Sequence, residues 1–146
     1  MNIEVITQPF DLTIYGIEGI AYNKDYVKTA FALSGKMWDV VKSNGLENKG
    51  KNIWMYDSED RVFAGVELEK YSGSQVSGLQ EKRIHLEKYA YYKHVGAYSL
   101  IREVGQKMTA YLTTRGLEVV LPYIEIYGHW SNDETKLETE LLMCLK

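Results

Sequence analysis

A chain of 146 residues fits one domain and is long enough to bury a hydrophobic core without covalent cross-links. A net charge of −3 with no cluster of Lys and Arg argues against direct binding of nucleic acid, and the single cysteine, Cys144, excludes an internal disulfide framework and a cysteine-based zinc site. We find neither a signal-peptide pattern nor an apolar stretch long enough to span a bilayer, so the sequence predicts a cytoplasmic protein.

The first half of the chain predicts strands around one long helix. Residues 5–20 are rich in β-forming side chains and break at Gln8–Pro9. Residues 52–56 and 62–68 form two further strands joined by a polar turn. Between them lies an amphipathic helix that ends at Gly45, a residue suited to a left-handed C-cap. Its apolar stripe consists of Phe31, Met37, Trp38 and Val41.

The second half predicts the same series of elements. Residues 83–94 form one long strand, and residues 123–127 and 139–145 form two more. A helix lies between the first and second of these strands and ends before Gly116. Its apolar stripe consists of Ile101, Val104, Met108 and Leu112. The small and polar residues 71–78 indicate a linker between the halves.

A shift of the sequence by 71 positions aligns residues 35–56 with residues 106–127 without a gap. The matched pairs include Met37 with Met108, Gly45 with Gly116, and Tyr56 with Tyr127. We therefore predict a single α+β domain of two strand–helix–strand–strand repeats related by pseudo-twofold symmetry, with two long helices on an antiparallel sheet. Repeat one covers about 1–70, the linker about 71–80 and repeat two about 81–146.

Alternation along the strands indicates a candidate site. Because neighbouring side chains of a strand face opposite ways, we expect the apolar residues of strands 52–56 and 123–127 to face the helices. These are Ile53, Met55, Ile124 and Ile126. The opposite face then holds one carboxylate among aromatic rings, and pseudo-symmetry brings the two strands together. The predicted group is Trp54, Tyr56, Tyr123, Glu125 and Tyr127.

A carboxylate among aromatic rings suits a cation, which gains from both kinds of contact. Tyr89 and Tyr91 alternate on the strand that leads into the second helix and are further candidates. Two plainer interpretations stay open: a strand glutamate exposed to solvent, and a Trp54 that belongs to the core. Trp130 is either a lid over the site or a surface-packed side chain.

Part of the second repeat resembles the second half of a domain from a known family. The resemblance lies in the stretch His94-Val95-Gly96-Ala97-Tyr98, the helix after it and the strand that carries Glu125. This family is the GyrI-like (AraC-type) effector-binding domain of multidrug-responsive regulators. It also occurs alone, in the gyrase inhibitory protein and in modules carried on integron cassettes. The resemblance implies a cleft between the repeats for flat, hydrophobic and often cationic compounds, with Glu125 pairing with the ligand's charge. Unlike the regulators, this sequence shows no helix-turn-helix segment.

Three functions remain open. The first is a small-molecule-binding module without a cofactor or a metal, since the three histidines lack ligand spacing. The second is a GyrI-like hydrolase that uses Glu125 with Tyr89 or Tyr91. The third is a protein-interaction module whose partner is gyrase or a regulator.

Overall fold

The computed structural model describes residues 1–69, 75–76 and 78–146, with the backbone alone at 75–76. The helices are α1 (Tyr26–Ser43) and α2 (Ile101–Thr114). The strands are β1 (Glu4–Ile6), β2 (Phe10–Ile20), β3 (Asn52–Tyr56), β4 (Arg61–Val66), β5 (Gln75–Val76), β6 (Leu79–Leu86), β7 (Tyr89–Val95), β8 (Val119–Tyr127) and β9 (Glu138–Leu145).

The described strands form one antiparallel sheet in the order β1-β7-β9-β8-β3-β4-β2-β6-β5. The predicted repeat is confirmed: β2-α1-β3-β4 recurs as β7-α2-β8-β9, and the sheet order β7-β9-β8 mirrors β2-β4-β3. The equivalent strands β3 and β8 are neighbours at the centre. Trp54 faces Glu125 in their register, and since these two positions are themselves equivalent, the pseudo-twofold axis passes between them.

Each half is completed by a strand from the other half. β1 precedes β2 in the chain but pairs with β7, and β6 precedes β7 but pairs with β2. In a flat sheet β6 and β7 would lie about 29 Å apart, at about 4.8 Å per strand. Only Glu87 and Lys88 link them, and so short a link spans about 11 Å. The sheet must therefore curl until its two ends approach each other.

The curl encloses an apolar core lined by strands alone. Its buried members include Ile14, Ile53, Met55, Phe63, Ile84, Leu86, Ile124, Ile126 and Leu142. The expectation that Ile53, Met55, Ile124 and Ile126 face the helices is therefore wrong, although the alternation that groups them is right. Both helices pack on the other, outer face of the sheet. The reason is that a curled sheet has an apolar interior of its own.

The helices pack the predicted stripes against the sheet with one exception. Met37 and Val41 of α1 are buried, as are Met108 and Leu112 of α2. Phe31 is 73% exposed, and Ala30 and Leu33 take its place against the sheet. Gly45 and Gly116 follow the two helices with φ values of 59° and 76°, the left-handed conformation that glycine adopts readily. In the described residues, no helix is long and apolar enough to cross a membrane.

The long strand predicted at 83–94 is two strands. β6 ends at Leu86 and β7 begins at Tyr89, and the two lie near opposite ends of the sheet order. Continuous β-forming composition concealed the break because Glu87 and Lys88 carry no turn signal. Half of the predicted linker at about 71–80 falls outside the described residues, and the described half consists of β5, Gly78 and the first two residues of β6.

Candidate ligand-binding site

The five central residues predicted from alternation lie together on the outer face of the sheet. In the β3–β8 pairing, Trp54 faces Glu125 and Tyr56 faces Tyr123, while Tyr127 faces Asn52. The outer face also carries both helices, so this group lies on the surface of the sheet between α1 and α2. We refer to this surface as the floor. We refer to Trp54, Tyr56, Tyr123, Glu125 and Tyr127 as the central cluster.

Glu125 accepts three tyrosine hydroxyl bonds. Tyr127 Oη donates to Oε1 at 2.7 Å and Tyr56 Oη donates to the same oxygen at 3.2 Å. Tyr123 Oη donates to Oε2 at 2.8 Å. The residue is only 7% exposed, so the interpretation of Glu125 as a solvent-exposed glutamate does not hold. The tyrosines thus replace most of the water that a carboxylate would otherwise bind.

The central cluster contains a carboxylate but no cationic side chain. Burial raises the pKa of Glu125 above its usual value, while the bonds from Tyr127, Tyr123 and Tyr56 oppose that rise. Burial and the nearby carboxylate raise the pKa of each of these three hydroxyls, so all three stay protonated donors at neutral pH. None of the ion pairs among the described residues involves Glu125. The carboxylate is therefore hydrogen-bonded but lacks a cationic partner there.

Trp54 lies beneath α1. It is 8% exposed and packs with Ala30 and Leu33 of the helix and with Ala64 of β4. Its ring is tilted against Tyr127 at 4.7 Å between centroids. Among the described residues its buried Nε1–H has no hydrogen-bond partner. Trp54 therefore belongs to the core and to the central cluster at once.

The ring contacts form two aromatic groups, one around Tyr56 and one around Tyr127. Tyr56 and Tyr123 stack at 5.8 Å with an interplanar angle of 19°. Tyr26 meets Tyr56 edge to face, and Tyr98 meets Tyr127 in the same way at 5.4 Å. Such pairs add to the stability that burial of apolar area provides. They also place aromatic faces around Glu125, where a cation gains a second favourable contact.

The two helices approach the floor in different ways. In α1, Ser34 Oγ and Trp38 Nε1 both donate to Asn52 Oδ1 of β3. The position in α2 equivalent to Ser34 is Gly105, where an added Cβ would lie 4.0 Å from Tyr123 Oη. Polar bonds thus tie α1 to the floor, whereas α2 meets it at a residue without a side chain.

Exposed apolar side chains line the helix edges that face the floor. Val27 and Phe31 lie on the same side of α1 as Trp38 by helical spacing, and both are exposed. Tyr98, which precedes α2, is the repeat equivalent of Val27 and is 38% exposed. We refer to Val27, Phe31 and Tyr98 as the rim. Exposed apolar side chains beside a buried polar cluster mark surface that a ligand can contact.

The structure does not bring Tyr89 and Tyr91 to Glu125. Both point to the interior of the curl, where Tyr89 meets Phe10 and Tyr91 Oη donates to Glu140 Oε1 at 2.7 Å. Tyr92, on the other face of β7, is the one that shares the outer face with Glu125. Alternation along β7 separates the two groups, but it cannot tell which of them faces outwards.

Further aromatic and titratable residues lie outside the central cluster. Trp130 is 75% exposed, so it forms neither a packed surface contact nor a closed lid in this conformation. His85 lies between Asp11 and Glu87, with each of its ring nitrogens 2.6 Å from a carboxylate oxygen. In the part of the chain that the structure describes, no three acidic, His or Cys side chains are placed to hold a metal ion.

Two residues beside the central cluster were not predicted from the sequence. Tyr98 reaches Tyr127 only through the turn before α2, which no periodicity predicts. Thr139 pairs with Tyr127 across β8 and β9, lies fully buried on the outer face and leaves its Oγ1 without a partner among the described residues.

A separate surface depression of about 490 Å³ lies along β2, near Thr13, Glu67 and Arg83, and none of the central cluster lines it.

A family model described as GyrI-like small molecule binding domain matches residues 1–146. No curated protein sequence matches the chain. Among solved structures, EcmrR in a complex with DNA aligns with a TM-score of 0.72 at 14% identity. The alignment covers 99% of this chain, which spans only 57% of the EcmrR chain.

Two further structures extend the likeness. SAV2435 bound to tetraphenylphosphonium aligns with a TM-score of 0.67 at 16% identity, covering 100% of this chain and 94% of that one. A hydrolase from Listeria innocua aligns with a TM-score of 0.61 at 15% identity, covering 99% of this chain and 91% of that one. At these identities the likeness concerns the fold. The family match spans every residue, and the chain belongs to the GyrI-like small molecule binding domain family.

Proposed function

We propose that this domain binds hydrophobic cations between α1 and α2, with Glu125 as the charge partner and the aromatic rings as the walls. One observation carries the proposal. Glu125 is a buried carboxylate that three tyrosines hold in place, and no cationic side chain of the described residues pairs with it. A buried charge without a counter-charge is costly, and a cationic ligand removes that cost.

The surroundings of Glu125 favour a cation that is large and apolar. A small hydrated ion would lose its water without gaining enough contacts, whereas an apolar cation is weakly hydrated and buries carbon surface. Burial contributes about 25 cal/mol per Å² of apolar area, so the rings and the rim supply most of the affinity. Glu125 then contributes selection for positive charge.

Binding requires the rim and the rings to rearrange. Glu125 is almost fully covered, and Tyr98 lies against Tyr127 above it. Tyr98 is part of a short 3-10 turn (Tyr98–Leu100), and few backbone bonds hold such a turn in place. Displacement of the Tyr98 ring would open Tyr127 and Glu125 to a ligand. The tetraphenylphosphonium in SAV2435 is a ligand of the size and charge that we propose.

Calorimetric titration with tetraphenylphosphonium tests the proposal. We expect micromolar binding that Glu125→Gln weakens by about tenfold or more, because the variant keeps the shape and removes the charge. Glu140→Gln is the matched control, since Glu140 also accepts a tyrosine bond but does so from Tyr91, which points into the curl. Equal affinity in the wild type and Glu125→Gln would refute the role of Glu125.

The ligand's charge needs a control of its own. A naphthyl trimethylammonium ion and its neutral isostere, tert-butylnaphthalene, differ in charge but hardly in shape. We expect the cation to bind the wild type more tightly and this preference to disappear in Glu125→Gln. A preference that persists in the variant would place the source of charge selection elsewhere.

Hydrolysis is a second candidate function, favoured by the same carboxylate. A buried glutamate with a raised pKa in contact with tyrosine hydroxyls can donate or accept a proton, and a similar fold occurs in the hydrolase from Listeria innocua. The tyrosines available are Tyr56, Tyr123 and Tyr127, in place of the expected Tyr89 and Tyr91. Turnover of an electrophilic substrate beyond one equivalent, lost in Glu125→Gln, would support hydrolysis, and binding without turnover would exclude it for that substrate.

A further inference from the structure

Two buried polar atoms on the outer face have no hydrogen-bond partner among the described residues. They are Trp54 Nε1 and Thr139 Oγ1. Both belong to neighbours of Tyr127: the Trp54 ring lies 4.7 Å from the Tyr127 ring, and Thr139 pairs with Tyr127 in the sheet register. The hydroxyl of Tyr127 in turn bonds Glu125. Both unpaired polar atoms of the described residues therefore belong to neighbours of Tyr127, whose hydroxyl donates to the carboxylate of Glu125.

An unpaired buried donor is destabilising, because on folding it loses the hydrogen bond that it made to water in the unfolded chain. Burial beneath Ala30 and Leu33 favours any apolar side chain at position 54, and the indole adds a donor that this burial leaves unpaired. Trp38 provides the contrast within the same fold, because its Nε1 donates to Asn52. The difference between these two tryptophans indicates a donor reserved for a partner outside the described residues.

We propose that the ligand carries a hydrogen-bond acceptor in addition to its positive charge, and that Trp54 Nε1–H donates to that acceptor. This inference rests on the proposed function, because it concerns the same ligand. Glu125 takes the cationic end, and Trp54, the equivalent residue of the other repeat, takes the acceptor. The hydroxyl of Thr139 can donate or accept and provides a second polar contact beside Tyr127.

The ligand class that follows is an apolar cation with a carbonyl, ether or aromatic nitrogen. Tetraphenylphosphonium has the charge and the apolar surface but no acceptor, so it would leave the indole unpaired. A donor that is already buried without a partner gains a hydrogen bond from a ligand with an acceptor and nothing from a ligand without one, so the site discriminates between the two. Trp54 is therefore a specificity-determining residue of the site.

Pairs of probes that differ by one heavy atom test this inference. Each probe is a tetraphenylphosphonium ion in which one ring carries either an acetyl group or its isopropenyl isostere. The pair is prepared as the meta and as the para isomer. The wild-type protein should bind at least one ketone about tenfold more tightly than the matching alkene, which corresponds to one hydrogen bond of about 1.4 kcal/mol. The ratio should fall to about one in Trp54→Phe and with benzothienylalanine at position 54, which keeps the bicyclic ring but lacks the N–H.

The indole resonances provide a direct reading of the donor. In a 15N-labelled sample, the Nε1–H peak that disappears in Trp54→Phe should move downfield when the ketone binds and move less with the alkene. The Trp38 peak serves as the internal reference for an indole that is already bonded.

The outcomes separate the two claims. If both probes bind in a Glu125-dependent manner with equal affinity and no change at Trp54, the proposed function stands and this inference is refuted. A Trp54 peak that is already at a bonded position in the free protein would also refute it. If no cationic probe binds, both claims fail together.

Discussion

Trp54 and Glu125 face each other across β3 and β8, and they are the same position in the two repeats. The pseudo-twofold axis passes between a residue that brings a buried donor and a residue that brings a buried acceptor. A duplicated unit has thus acquired opposite hydrogen-bonding character at its point of symmetry.

The stability of the domain should depend on the ionisation of Glu125. Because the folded-state pKa of Glu125 is raised, its contribution to stability is fully present below the unfolded pKa of about 4.3 and is lost as pH rises through the folded pKa. Glu125→Gln does not ionise. We therefore expect the free energy of unfolding of Glu125→Gln, relative to wild type, to increase from about pH 4 to pH 8 in urea denaturation. A difference that is constant with pH would contradict the burial argument.

The three tyrosine donors should differ in their effect on Glu125. Their bonds lower the pKa of the carboxyl in the order Tyr127, Tyr123 and Tyr56, so each Tyr→Phe variant should raise that pKa, and Tyr127→Phe should raise it most. A 13C-detected NMR titration of the glutamate carboxyl measures the effect. Tyr91→Phe is the control, since its hydroxyl bonds Glu140 and should leave Glu125 unchanged. An equal shift in Tyr91→Phe would show that the effect is not local.

Two apolar residues of α1 should separate stability from binding. Met37 is fully buried, so Met37→Ala should lower the free energy of unfolding by about 2–5 kcal/mol. Phe31 is mostly exposed, so Phe31→Ala should change it by less than about 0.5 kcal/mol and should weaken tetraphenylphosphonium binding through the loss of rim contact. Chemical denaturation and calorimetry on both variants check this. A large stability loss in Phe31→Ala with unchanged affinity would show that the rim is structural.

His85 should titrate well above an ordinary histidine. The carboxylates of Glu87 and Asp11 bond its two ring nitrogens and raise its pKa to about 9. The stabilising pairing is therefore present below about pH 6.5 and is lost as pH rises through about 9. NMR titration of the ring should give a value near 9 at low salt, a lower value in Glu87→Gln, and a smaller shift as salt is added, because the pairs are exposed. An unshifted titration would show that these contacts do not persist in solution.

Repetition made the centre of the sheet predictable from sequence. Equivalent strands that meet at a twofold axis must pair about equivalent positions, so the matching of Trp54 to Glu125 and the alternation of Tyr123 and Tyr127 were sufficient to assemble the cluster. The three hydroxyl bonds to Glu125 were not predicted, because they depend on side-chain rotamers and on the twist of the pair.

The errors about what each face of the sheet packs against share one cause, which is the curl of the sheet. Sequence alternation separated Ile124 from Glu125 and Tyr91 from Tyr92, but it could not reveal a second apolar interior on the face away from the helices. The exchange of β1 and β6 between the halves is equally invisible, since strand pairing over such distances leaves no local pattern. For Phe31, apolar character at a helical spacing indicated the core, whereas the smaller Ala30 fits beneath the helix.

The most direct test of the account is the pH dependence of tetraphenylphosphonium affinity in the wild type and in Glu125→Gln. If the ionised carboxylate pairs with the cation, wild-type affinity must rise with pH through the raised pKa of Glu125 and then level off, while affinity in the variant stays low and flat. A flat wild-type profile, or the same slope in the variant, would contradict the claim that Glu125 is the charge partner.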